Sequence, residues 1–183
     1  MRKRLTKTAL LVVDVQVAPF LWKDYGGPAL YRGAELLEVL GPLIGRARGA
    51  GVPVVYLQYT EGEGTPRGEG QPLWHIHPDI GPQDGDWVLM KTHADPFLNT
   101  NLHERLQAEG IGRLVITGIQ TEYCVDTACR SAYGLGYSVV LVRDGHTTFD
   151  NGTLTAQQII GHHHMVLGGL FAELELAGDV VLG

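Results

Sequence analysis

Five short runs of apolar, largely β-branched residues punctuate the chain, and they constrain its fold more than any other feature. The first, Ala9–Val13, is apolar at every position and stops at Asp14. Strands that lie between two layers of helices read this way, because neither face meets water. Pro53–Leu57, Trp87–Met90, Arg113–Thr117 and Tyr137–Val142 repeat the pattern, and Phe171–Leu174 predicts a sixth strand. Between Gly33 and Gly49, residues Ala34, Leu36, Leu37, Leu40, Leu43, Ile44 and Ala47 recur at helical spacing across Pro42. Further helices are expected over Thr100–Ala108 (capped by Thr100 or Asn101), Thr121–Tyr133 (capped by Thr121) and Thr153–Leu167. Strands alternating with helices specify an α/β domain with a mainly parallel, doubly wound sheet of about six strands. There is no internal repeat and no linker, so one domain over residues 1–183 is expected.

Composition narrows the function classes. A chain of 183 residues with 44% apolar and 19% charged residues buries a core without disulfides, and is neither disordered nor membrane-spanning. Its 14 basic and 20 acidic side chains give a net charge of −6. Arg2, Lys3, Arg4 and Lys7 sit at the very start, so the remainder is more acidic still and repels nucleic acid. That basic start reads as a solvated fringe. Asp14 interrupts the apolar run behind it, so no secretory signal is expected. Two cysteines, Cys124 and Cys129, make no disulfide framework, and a cytoplasmic location is the expectation.

In an open parallel sheet the ligand crevice lies at the carboxyl ends of the strands. The polar residues that end the apolar runs there are Asp14, Lys91, Gly118 leading to Cys124, and Asp144. Cys124 would fall in the first turn of a helix, where unpaired amides and the dipole favour a thiolate and can hold an oxyanion. Negative Asp14 opposes that stabilisation and Lys91 supports it. Taken singly, each residue also has a plain structural reading: a small buried hydrophobe, a strand-end turn residue, a lysine whose head reaches water. Cys129, further along the helix, reads as core.

Leu10-Leu-Val-Val-Asp14-Val-Gln16, Lys91 followed by Pro96-Phe97, and Gly118-Ile-Gln-Thr121-Glu-Tyr-Cys124-Val-Asp-Thr127-Ala128 resemble the isochorismatase-like cysteine hydrolases. That superfamily includes nicotinamidases, N-carbamoylsarcosine amidases, ureidoacrylate and biuret hydrolases, and streptothricin hydrolase-like enzymes. The match extends from Ala9 to about Asp150. It implies a three-layer α/β/α sandwich of the Rossmann-like, isochorismatase-like type and a catalytic triad of Asp14, Lys91 and Cys124. Asp14 would take the thiol proton, Lys91 would orient it, and Cys124 would attack an amide carbonyl and leave a thioester for water to cleave. It further implies a cis peptide at Ile119–Gln120 that directs the Gln120 amide, with that of Cys124, at the oxyanion, buttressed by Thr121. Water and a small amide or ureido compound are the expected partners, in a homodimer or homotetramer with His162–Leu170 as a candidate contact.

Departures from the resemblance matter as much. Nicotinamidases of this family hold a divalent metal through an Asp-x-His pair after the second strand, where this chain reads Leu57-Gln58-Tyr59-Thr60-Glu61. No cofactor is therefore expected, although His75 and His77 with Glu61 or His93 leave zinc as a minor alternative. Isochorismatases proper lack the nucleophilic cysteine. Consecutive histidines on a helix, His162–His164, point about 100° apart and do not share one ion well; they read as a packing face or a subunit contact. By position alone, Phe20, Trp74, His75, Phe97 and His146 are candidate pocket walls, and Asp144 with His146 a candidate rim. A metal-assisted amidase, a non-catalytic binding protein and a peroxide-sensing thiol remain as rival readings.

Overall fold

The computed structural model describes residues 7–183; Arg2, Lys3 and Arg4 of the basic start lie outside the described residues. Six strands, β1 (Lys7–Val13), β2 (Val54–Tyr59), β3 (Trp87–Lys91), β4 (Ile111–Ile119), β5 (Ser138–Thr147) and β6 (Glu173–Glu175), form one sheet. Their order is β3-β2-β1-β4-β5-β6 and every pairing is parallel. Five α-helices accompany them: α1 (Val17–Leu21), α2 (Gly33–Gly49), α3 (Leu102–Ala108), α4 (Asp126–Gly134) and α5 (Ala156–Gly168).

Period-two alternation along β1 divides the core. Ala9, Leu11 and Val13 join Leu102 and Leu106 of α3 and Ala128, Cys129 and Ala132 of α4 on one face. Leu10 and Val12 join Leu36, Leu40, Leu43, Ile44 and Ala47 of α2 on the other. Each large aliphatic side chain buried this way contributes about 1.5–3 kcal/mol, so the apolar runs are what commit the chain to helices on both sides.

The chain runs outward from β1 to β2 and β3, then crosses back to β4. The gap above β1 and β4 is thus the switch point at which ligands enter such sheets. Gly118 makes it narrow. Its φ is +128°, and a Cβ there would lie 2.0 Å from the Val13 carbonyl oxygen, so a side chain would push the two central strands apart.

Several elements differ from the sequence expectation. β5 continues past Asp144 to Thr147 because the β4–β5 register shifts between Ile116 and Gly118, which brings Gly118 opposite His146. Thr121 does not cap its helix; residues Thr121–Val125 form a π-type turn ahead of α4, with no side-chain cap. Thr100 Oγ1 accepts the Leu102 amide at 3.3 Å, whereas the side chain of Asn101 makes no cap. α5 begins later than expected, at a capping box of Thr155 and Gln158. α1 carries Pro19 in its first turns, where a missing amide costs nothing; it was not foreseen.

Candidate active site

Three carboxyl ends supply the site. Asp14 follows β1 in a left-handed conformation, φ +50°, a backbone state unusual for a residue with a side chain. Lys91 ends β3, two strands away from β1. Strands lie about 4.8 Å apart, so only a long side chain spans the gap. Lys91 does so beneath the Tyr59 ring, 5.2 Å from its centroid. Cys124 stands on the π-type turn after β4.

The lysine head is the hub. Lys91 is 2% exposed, and its ammonium donates to Asp14 Oδ2 at 2.7 Å, to the His93 carbonyl at 3.0 Å and to Cys124 Sγ at 3.4 Å. All three ammonium protons are thereby used. The other carboxylate oxygen, Asp14 Oδ1, is buried and finds no donor among the described residues. The Cys124 thiol adjoins the same carboxyl.

Electrostatics set the resting state. Burial raises the Asp14 carboxyl above the usual carboxylate range, against the opposing pull of Lys91. Burial, and then the Asp14 charge, push the Cys124 thiol up to about 12, with Lys91 again opposing. The expectation of a thiolate titrating below the ordinary value is corrected on this point: desolvation outweighs the stabilisation offered by Lys91. The sulfur keeps its proton well beyond neutral pH, beside a carboxyl whose Oδ1 has no hydrogen-bond partner among the described residues.

A cavity of about 300 Å³ opens on this cluster, lined by Asp14, Gln16, Tyr59, Arg67, Gln120 and Cys124 among others. The Ile119–Gln120 peptide is cis, where the resemblance placed one. Phe20, Trp74, His75, Phe97 and His146 are not among the lining residues. Phe97 is drawn into the core against Tyr137, and Phe20 packs on His77. The Trp74 indole donates to Thr60 Oγ1 at 2.9 Å, and the His75 carbonyl accepts the Val17 amide. His146 lies buried beneath Thr121, 2.8 Å from its hydroxyl, while Asp144 turns away to the Ala177 amide. The walls are instead Tyr59, Arg67, Tyr123 and the α1 residues Ala18 and Pro19.

Gln16 was visible within the Asp14-Val-Gln16 motif but not foreseen as a builder of the site. Its amide clamps the Tyr59 backbone at 3.0 Å from both sides and reaches the Trp74 carbonyl. Gln58 donates to the same Trp74 carbonyl at 3.0 Å. Together they fasten the long loop after β2 over the crevice. Arg67, on that loop, pairs with Glu61 and lies over the Tyr59 ring; nothing in the sequence distinguished it from other loop charges.

Gln58 and Tyr59 stand where the resembled nicotinamidases carry metal ligands, and the Gln58 side-chain amide is committed to the Trp74 carbonyl. His77 accepts the Asp79 amide. Among the described residues no three His, Cys, Asp or Glu side chains converge as a ligand set. The three consecutive histidines diverge as helical geometry requires: His162 is exposed, His163 bonds the Ile159 carbonyl, and His164 meets His146 at 2.9 Å. No helix among the described residues is long and apolar enough to cross a membrane.

The Isochorismatase domain model matches residues 8–161. The chain belongs to the isochorismatase family. An isochorismatase-family protein of known crystal structure superposes with a TM-score of 0.85 at 34% identity, covering 93% of this chain and 99% of that one. A cysteine hydrolase from Pseudomonas syringae superposes equally well at 22% identity, over 97% of this chain and 91% of that one, and shares the fold. Among curated proteins, a streptothricin hydrolase from Streptomyces noursei is 39% identical over 78% of this chain and 50% of its own length. The ureidoacrylate amidohydrolase RutB of Agrobacterium fabrum is 30% identical over 76% of this chain and 75% of its own. The chain thus spans about half the length of the streptothricin hydrolases that it matches. Amidohydrolases are thus among its relatives.

Proposed function

We propose that the protein is a cysteine amidohydrolase that cleaves the C–N bond of a small amide or ureido compound through a thioester. One observation carries the reading: Lys91 Nζ bridges Asp14 and Cys124 at 2.7 and 3.4 Å while Asp14 Oδ1, beside the cavity, is buried with no donor among the described residues. A core packed only for stability has little use for an unpaired buried carboxylate oxygen.

Asp14 takes the Cys124 proton as the sulfur attacks the substrate carbonyl, so the thiolate forms only when it is consumed. Lys91, bonded to both partners, offsets the charge on whichever one holds it. The amides of Gln120, just before the π-type turn, and of Cys124, within it, receive the oxyanion. The tetrahedral intermediate expels ammonia or an amine, protonated by Asp14, and leaves an acyl group on Cys124. Asp14 then draws a proton from water, which attacks the thioester, returns the thiol and releases the carboxylic or carbamic acid. Amide plus water gives acid plus amine, and nothing is oxidised or reduced.

The cavity of about 300 Å³ suits a compact acyl group, at the lower end of small-molecule sites. The test is ammonia or amine release from a panel of small amides and ureido compounds that includes ureidoacrylate and streptothricin. Turnover that Cys124→Ala abolishes supports the reading. Binding without turnover across the panel favours a non-catalytic member, and turnover that survives Cys124→Ala contradicts the cysteine mechanism.

A further inference from the structure

A second buried polar chain runs away from the site beneath the turn that carries Cys124. Thr121 is fully buried, and its Oγ1 lies 2.8 Å from His146 Nδ1. His146 is 4% exposed, and its Nε2 lies 2.9 Å from His164 Nε2 on α5. Neither histidine lines the cavity at Cys124, so the proposed chemistry uses neither directly.

A neutral imidazole has one donor and one acceptor, so the chain has a direction. If His146 donated to Thr121, the threonine hydroxyl proton would need another acceptor; among the described residues Thr121 Oγ1 has His146 alone. The opposite direction satisfies every group. Thr121 donates to His146 Nδ1, and His146 Nε2–H donates to His164 Nε2. His164 then carries its proton on Nδ1. Burial and the neighbouring histidines hold His146 neutral, far below the ordinary histidine range, at about 3, consistent with a fixed tautomer.

We infer that His146 is a positioning residue: by accepting the Thr121 hydroxyl, and being itself held by His164, it fixes the turn that presents Gln120 and Cys124 to the cavity. Thr121 is the first residue of that turn, and its carbonyl accepts the Asp126 amide that closes it. Release of the hydroxyl frees the turn at its root, three residues before the sulfur. Misplacement of reacting atoms by about 1 Å costs on the order of 10²-fold in rate.

The inference rests on the hydrolase reading for its kinetic consequence and on geometry for its structure. The test compares His146→Leu, His146→Asn and Thr121→Val with the wild-type protein. Asn places an acceptor oxygen near the position of Nδ1; Leu and Val do not. For folded variants, His146→Leu and Thr121→Val lower kcat by roughly 10–100-fold with KM little changed, while His146→Asn stays within about threefold of wild type. Imidazole nitrogen NMR of the wild-type protein shows a protonated Nε2 on His146 and a protonated Nδ1 on His164. A folded Thr121→Val with wild-type kcat, His146→Asn as impaired as His146→Leu, or a protonated Nδ1 on His146 overturns the inference. The NMR readout needs no substrate and no variant. A wild-type protein inert on every amide therefore counts against the hydrolase reading, and the tautomers still decide this one.

Discussion

Cys124 and Cys129 lie five residues apart on one rising turn and helix, yet the fold gives them opposite surroundings. Burial raises both thiols to about 12. Cys129 is 0% exposed among Leu102, Ala128 and Ala132 in the core, where it serves as a small hydrophobe. Cys124 lines a cavity with an ammonium 3.4 Å from its sulfur and a carboxylate that can take its proton. Acidity alone does not distinguish them. What sets Cys124 apart, and makes it the nucleophile in the proposed mechanism, is a carboxyl beside its thiol and an opening onto a cavity.

The sharpest way to break this contrast is to exchange the consequences of truncation. Cys124→Ala is expected to abolish amide hydrolysis with little change in melting temperature. Cys129→Ala is expected to retain turnover and to lose about 1–2 kcal/mol of stability by leaving a small void, read from denaturant unfolding. Next in size is Asp14→Asn, which removes the base and lowers kcat by roughly 10²–10⁴-fold. Gly118→Ala probes the crevice rather than the sulfur. With φ at +128° and Val13 O at 2.0 Å, it is expected to cost more than about 3 kcal/mol or to prevent folding, seen as loss of soluble protein.

The pH profile sharpens the same contrast. In the proposed mechanism Asp14 works as a base in its charged form, and burial raises its pKa. Activity therefore falls as pH drops through that raised value, and the acid limb of kcat/KM lies above the ~3.9 of a free aspartate. Lys91 opposes the shift, so in Lys91→Met any residual activity has its acid limb at still higher pH. An acid limb at or below the free value removes the desolvated base from the account.

The architecture was legible because apolar runs report burial directly. β1, β2, β3 and the body of α2 lie within a few residues of their expected places, and Pro42 did not interrupt α2. That Asp14, Lys91 and Cys124 meet on one rim was legible for a related reason: Asp14 and Lys91 are the first polar residues at the ends of apolar runs, and Cys124 lies on the turn that follows another. The cavity walls were not. Tyr59 and Arg67 belong to the site through the folding of the long loop onto Gln16 and Gln58, a contact between residues some 15 to 60 positions apart, which has no local signature. Phe97 and Phe20 misled because proximity to the rim in sequence says nothing about which way an aromatic ring turns. The thiol's direction of titration was missed for a similar reason, since helix-terminus stabilisation can be read from a motif and desolvation cannot.

The most direct test is site-resolved alkylation by iodoacetamide near neutral pH, read by peptide mass spectrometry in the wild-type protein, Asp14→Asn and Lys91→Met. Cys124 should be labelled and Cys129 spared. Because Asp14 raises the thiol pKa and Lys91 lowers it, Asp14→Asn should label faster than wild type although it hydrolyses amides poorly, and Lys91→Met should label more slowly. Equal labelling of the two cysteines, or a Cys124 rate indifferent to both substitutions, would contradict the coupled triad on which this account depends.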